Sequence, residues 1–271
     1  MVSLTLLSLA CMMCWRIFTE IWLICLAVNS FIWEETKFIL VGLKFMVECD
    51  LLFTHKGCWN SSSDVLKWLE SHGRGREESD FMFLWKYFLK KSVKRIKKAG
   101  MTKPNLVYWT NGLTKSEHIH HLDPKLFTIQ IWSNGQDYSD ATIKTVAEAG
   151  FKMIFSNYDA TYLDCGFGGW VTSGNNWCSP YKEWQLQHQN DPIRLLEMRG
   201  LNNLEDAKAN VLGGEVAMWT EQVDGHTMMT RIEPRASAYA ERLWRGPYTG
   251  GWVEATTRLV RWVKYWILLR I

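Results

Sequence analysis

The sequence has no marked excess of charge of either sign. Lys and Arg number 31 against 28 Asp and Glu, a net charge of +3 over 271 residues. So small a bias gives no support to a nucleic-acid partner. The densest basic group, Lys90, Lys91, Lys94, Arg95, Lys97 and Lys98, has the spacing of a solvated helix face. No GxGxxG or GxxxxGK[ST] follows a strand-like run, so no nucleotide cofactor is expected. Paired CxxC motifs are also lacking. Cys11 and Cys14 stand alone around two Met, which leaves no expected metal site. With 47% hydrophobic and 22% charged residues, the disordered, collagen-like and disulfide-dense miniature classes are excluded.

A long uncharged run is missing too. Residues 1–33 carry two charges, Arg16 and Glu20, between the uncharged stretches Met1–Trp15 and Ile21–Trp33. A membrane span needs about 20 apolar residues, and a signal peptide needs a basic start. Residues 1–50 are therefore read as a hydrophobic leader: a signal, a membrane anchor through residues 1–33, or a segment not native to the chain, as in a mis-joined gene model. Residues 51–271 form the body.

What the chain has in excess is tryptophan, 16 residues, with aromatics at 14%. An indole needs burial or stacking and a partner for its N–H. The choice is thus a very aromatic core or a site for flat ligands such as sugars, bases and cations.

The body alternates helix and strand. Ser63-Asp64 starts a helix through Glu70 that ends near Gly73, and another runs from Glu78 to Lys98 before Gly100. Asn105–Trp109, Phe127–Trp132, Lys152–Ser156 and Val211–Trp219 read as strands, with helices after Ser139-Asp140 and over Arg235–Trp244. Strand–helix–strand repetition marks an α/β fold with a parallel sheet, either a barrel or a doubly wound sheet. Three of the four strands end in Trp: Trp109, Trp132 and Trp219. In a barrel, the C-terminal strand ends form the active site.

The connection after the third strand reads as a long Gly/Asn-rich loop. It carries Tyr158, Asp159, Tyr162, Asp164, Cys165, Trp170, Trp177 and Cys178. The two cysteines either close a loop worth about 3 kcal/mol in the chain-entropy model or stay as free buried thiols. The Asn60-Ser61-Ser62 sequon, an N-glycosylation signal at Asn60, favours the bridge.

The segments Ser156–Gly166, Gly169–Thr172 and Gly174–Tyr181, with Leu212–Glu221, Pro234–Trp244 and Cys58–Ser62, resemble the β-N-acetylhexosaminidases of glycoside hydrolase family 20. The likeness is to their insect branch, which degrades chitooligosaccharides and processes N-glycans. It covers about residues 53–260. The resemblance implies a (β/α)8 TIM barrel, of which this chain carries the C-terminal half, with no cofactor and no metal. It implies removal of terminal non-reducing N-acetylhexosamine from chitooligosaccharides or glycoconjugates, with retention, the sugar's own acetamido oxygen acting as nucleophile. By the same resemblance Trp109, Trp132 and Trp219 wall the acetamido pocket. Tyr162 donates its hydroxyl to the acetamido oxygen. Asp164 and Glu221 accept from sugar hydroxyls, and Trp177 stacks on the next sugar. The implied partners are an N-acetylglucosamine-containing oligosaccharide and, as in many relatives, a second copy in a homodimer. The implied location is secreted or lysosomal.

One part of the family pattern is absent. Its acid motif, H-x-G-G-D-E, pairs an orienting Asp with a general-acid Glu. The dipeptide Asp-Glu occurs nowhere in this chain, and His55-Lys56-Gly57 runs directly into Cys58-Trp59-Asn60-Ser61-Ser62. Gly213-Gly214-Glu215 matches a later strand of the family and not the acid motif. The chain as written is therefore expected to lack turnover. A non-catalytic sugar-binding remnant and a truncated gene-model fragment stand as alternatives.

Overall fold

The computed structural model describes residues 38–40, 58–100, 105–169, 173–246 and 251–269, and of 38–40, 58, 105 and 265–269 the backbone alone. Expectations on the rest of the leader and on the His55–Gly57 junction lie outside the described residues. The chain divides into two compact units, one of residues 1–107 and 111–113, the other of 108–110 and 114–271.

In the first unit, β1 (Phe38–Leu40) runs parallel to β2 (Asn105–Trp109), with Phe38 opposite Asn105 and Leu40 opposite Val107. β1 falls inside the stretch read as a leader. Three helices follow β1: α1 (Cys58–Ser61), α2 (Ser63–Ser71) and α3 (Glu78–Lys98). Ser62 caps α2 by accepting from Val65 N, and Asp80 accepts from Glu77 N at the start of α3. α3 buries Phe81, Met82, Trp85, Leu89 and Ile96. Its basic residues Lys90, Lys91, Lys94, Arg95, Lys97 and Lys98 are exposed, as their spacing predicts. Trp59 meets Trp85 edge-on at 6.1 Å, and Trp68 lies 4.8 Å from Tyr87. These tryptophans are packing residues.

In the second unit the end of β2 is followed in the sheet by β3 (Phe127–Ile131), β4 (Lys152–Phe155) and β5 (Val211–Gly214), in chain order. β3 and β4 pair in parallel with Ile131 opposite Phe155, and β4 and β5 with Phe155 opposite Gly214. All five residues of β3 are buried, as befits a strand covered on both faces. α4 (Thr142–Glu148) makes the crossover, packing Ile143, Val146 and Ala147 against β3 and β4. Asp140 starts it by accepting from Thr142 N at 2.8 Å.

Two expectations need correction. The connection after β4 is not one long loop. It holds α5 (Tyr158–Thr161), α6 (Trp184–Gln189), α7 (Pro192–Glu197) and α8 (Leu204–Ala209). The local causes are visible at α7, where Asp191 caps Ile193 N, Pro192 takes the first turn and Leu195 and Leu196 are buried. The fourth strand stops at Gly214, five residues short of Trp219. Gly213 has φ +139, outside the range of a regular strand. A Cβ on Gly214 would stand 2.0 Å from the Tyr239 Oη. The chain rejoins the sheet region at Ala217, which bridges Tyr162 in parallel.

Beyond β5 come α9 (Met228–Ile232), α10 (Arg235–Arg245) and α11 (Trp252–Leu269). α10 matches its expected span within a residue. α11 was not anticipated. Ala238, Ala255 and Leu259 join α10 to α11, with Trp184 packed against them. Among the described residues no helix is long and apolar enough to cross a membrane.

Candidate functional site

The site builds from the C-terminal ends of the strands in the second unit. Trp132 follows directly on β3. Its backbone is pinned from β2: the Thr110 hydroxyl donates to Trp132 O and accepts from Trp132 N, both at 2.8 Å. Tyr162 ends α5 and is buried. Its place is set by backbone bonds to the segment after β5, Leu163 N to Ala217 O at 2.7 Å and Ala217 N to Thr161 O at 2.9 Å. Trp219 lies two residues beyond that bridge.

The rings converge. Tyr162 meets Trp219 at 6.0 Å and Trp177 at 6.1 Å, both nearly perpendicular. Trp132 lies 6.0 Å from Trp177 and 5.6 Å from Tyr158, and Tyr158 lies 5.3 Å from Trp177. Edge-to-face geometry of this kind leaves ring faces available to a ligand. Trp177 is 66% exposed, a large apolar surface with little protein cover. Of the seven residues named from the sequence, the structure thus brings Trp132, Tyr162, Trp177 and Trp219 into one cluster. Trp109 is half-buried at the end of β2. Glu221 is exposed in the 3-10 turn Thr220–Gln222. Asp164 is half-buried, and its carboxylate accepts from Trp219 N at 3.4 Å, so it braces the Trp219 backbone. Tyr158 completes the cluster and was missed as a site residue. Its place three residues after the β4 strand end was the available signal.

Cys165 and Cys178 are joined by a disulfide. They are also the sulfurs in the converging ligand-type group Asp164, Cys165 and Cys178, and the bridge consumes both. The bridged loop is held at its two ends by one buried cation. Arg235 Nη2 donates to Leu163 O at 2.8 Å and Nη1 to Lys182 O at 3.2 Å, with the Tyr181 ring 4.4 Å from the guanidinium. Gly166, at φ +88, lies where a Cβ would be 2.1 Å from Tyr181 N, so the loop closes only around glycine. Asn60, the sequon residue, is half-buried in α1.

Burial is the main cause that holds the Tyr162 hydroxyl above its usual titration range. The indoles of Trp219 and Trp132 oppose it, and the Asp164 and Glu215 carboxylates add to it. Tyr162 is therefore a fixed O–H donor at neutral pH. Glu215, just past β5, was set aside in the sequence as part of a strand motif. Burial raises its carboxyl, and a hydrogen bond from Gln130 works against that shift.

The profile of glycosyl hydrolase family 20, catalytic domain, matches residues 48–247. The chain belongs to that family. It is 41% identical over 207 residues to the chitooligosaccharidolytic β-N-acetylglucosaminidase of Ostrinia furnacalis, covering 76% of this chain and 33% of that protein. It is 36% identical over 174 residues to a probable β-hexosaminidase of Drosophila melanogaster, covering 63% of this chain and 24% of that protein. The structure resembles a family 20 exo-β-N-acetylglucosaminidase of Vibrio harveyi bound to N-acetylglucosamine, with TM-score 0.53 at 21% identity over 73% of this chain and 28% of that one. It also resembles the N-acetyl-β-hexosaminidase of Streptomyces plicatus, with TM-score 0.51 at 26% identity over 69% of this chain and 34% of that one. The family is a TIM-barrel family, and the parallel strand–helix succession of the second unit is an α/β arc of that fold. The chain spans about a third of the length of such curated relatives.

Proposed function

We propose that the second unit supplies the sugar-binding half of a β-N-acetylhexosaminidase site, one that takes a terminal non-reducing N-acetylhexosamine of a chitooligosaccharide or glycoconjugate. The observation that carries this reading is the convergence of Trp132, Tyr162, Trp177 and Trp219 on one cluster. Indole faces suit the methyl group and the C–H face of a pyranose, and the Tyr162 hydroxyl suits the acetamido oxygen. Trp109 completes the wall. Asp164 and Glu221 take sugar hydroxyls. Trp177, which projects furthest into solvent, stacks on the next sugar. In the retaining reaction the acetamido oxygen attacks the anomeric carbon, and an acid protonates the leaving oxygen. This chain contributes the Tyr162 donor and the walls that hold the acetamide against that carbon. It contains no Asp-Glu dipeptide, so it binds the sugar without cleaving it. A disulfide under the pocket suits a secreted or lysosomal location.

Titration with N-acetylglucosamine and chitobiose, followed by tryptophan fluorescence, tests the binding. Saturable quenching is expected, with Trp177→Ala abolishing the preference for chitobiose. A chromogenic N-acetylglucosaminide tests the chemistry. No ligand response, or turnover at the rate of a full-length relative, would overturn the proposal.

A further inference from the structure

β3 and β5 are not hydrogen-bonded neighbours, because β4 lies between them. The two pocket tryptophans that follow these strands, Trp132 and Trp219, therefore have no shared ladder to set their separation. Side chains that point inward from alternate strands of a parallel barrel share one layer. Gln130 on β3 and Glu215 after β5 satisfy that condition. Gln130 Nε2 donates to Glu215 Oε2 at 2.8 Å, across the intervening strand.

Each partner is anchored. Gln130 is fully buried, and its backbone carbonyl accepts from Thr110 N at 3.0 Å. Glu215 N donates to Phe155 O at 2.9 Å. Gln130 lies two residues before Trp132, and Glu215 lies two residues before Ala217, whose N–H donates to Thr161 O at 2.9 Å and which Trp219 follows two residues on. We propose that the Gln130–Glu215 pair is a strut that sets the gap between Trp132 and Trp219, which makes Glu215 a positioning residue for the pocket. The inference rests on the sugar-pocket reading above.

An apolar pair would fill this layer without the cost of burying amide and carboxyl. Apolar contacts, however, let strands slide, whereas a hydrogen bond specifies one separation. Burial raises the Glu215 carboxyl, and the hydrogen bond from Gln130 opposes that shift.

The experiment uses the full chain labelled with 15N at tryptophan. Variants are Glu215→Leu, Gln130→Leu, and the exchange Gln130→Glu with Glu215→Gln, which rebuilds the pair in reverse. Each single variant should move the indole N–H signals of Trp132 and Trp219 and leave that of Trp85 in place. Each should also weaken N-acetylglucosamine binding about tenfold, the size of one net hydrogen bond. The exchange should restore both readouts. A folded Glu215→Leu protein with unmoved Trp132 and Trp219 signals overturns the strut. If the leucine variants fail to fold, displaced signals in the exchange variant overturn it. A wild-type protein that binds no sugar sinks the pocket reading instead, and the indole comparison still decides the strut.

Discussion

Replacing Cys165 and Cys178 together by alanine removes the cross-link beneath the pocket. The bridged residues are 13 apart. Releasing a loop of that size costs about 3 kcal/mol in the chain-entropy model. Both cysteines are buried, so each alanine leaves a void that adds to the loss rather than offsetting it. For a unit of this size 1 kcal/mol moves the midpoint by about 2–4 °C, so a fall of roughly 6–12 °C is expected. Calorimetry of the oxidised protein, the dithiothreitol-reduced protein and the double variant measures it, and the double variant should melt below the reduced protein by the cost of the two voids. Iodide quenching reports the functional side, since Trp177 loses its ring neighbours Trp132, Tyr158 and Tyr162 when the loop opens. A midpoint unchanged on reduction would refute the reasoning. It would mean that the Arg235 bonds to Leu163 and Lys182, with the Asn176 bonds to Gly166 N and Asp164 O, already hold the loop.

Two further changes test the packing and the acid response. Gly214→Ala puts a methyl 2.0 Å from Tyr239 Oη, an overpacking worth about 1–3 kcal/mol in urea unfolding. Adding Tyr239→Phe should recover part of that loss, and a neutral Gly214→Ala would contradict the close approach. His188 is buried, and burial is the main cause that holds it below its usual range. Arg242 and Arg258 push the same way, against Glu241. A depressed folded value means that stability is full above about pH 6.5 and is lost as pH falls through the folded value. The unfolding midpoint should therefore drop on acidification, and His188→Gln should flatten that drop. An equal slope in the variant would show that other groups carry the acid response.

Much of the second unit was readable from local pattern. β3, α4 and α10 follow from apolar spacing and end signals, and each was found within about two residues. Trp132 was legible as a candidate because it directly follows a strand end, where a parallel fold collects function. What escaped was tertiary in origin. α6, α7 and α8 are short helices whose periodicity is too brief to separate from a loop, and their packing, α6 on α10, α7 on α4 and α8 on α7, decides them. The close approach of the Tyr239 hydroxyl to Gly214 at the end of β5 comes from a helix residue 25 positions away, which no local window contains. Tyr158 and the Gln130–Glu215 contact required pairs far apart in sequence to be brought together.

The segment carrying Tyr162 is stitched to the chain after β5 by main-chain bonds, Leu163 N to Ala217 O and Ala217 N to Thr161 O. Those bonds do not depend on which side chains flank them. Tyr162 and Trp219 can be exchanged for other residues while the backbone that presents them keeps its register. On the proposed reading, a sugar pocket framed in this way can drift from one sugar or aglycone to another by single substitutions, without first having to reinvent its scaffold.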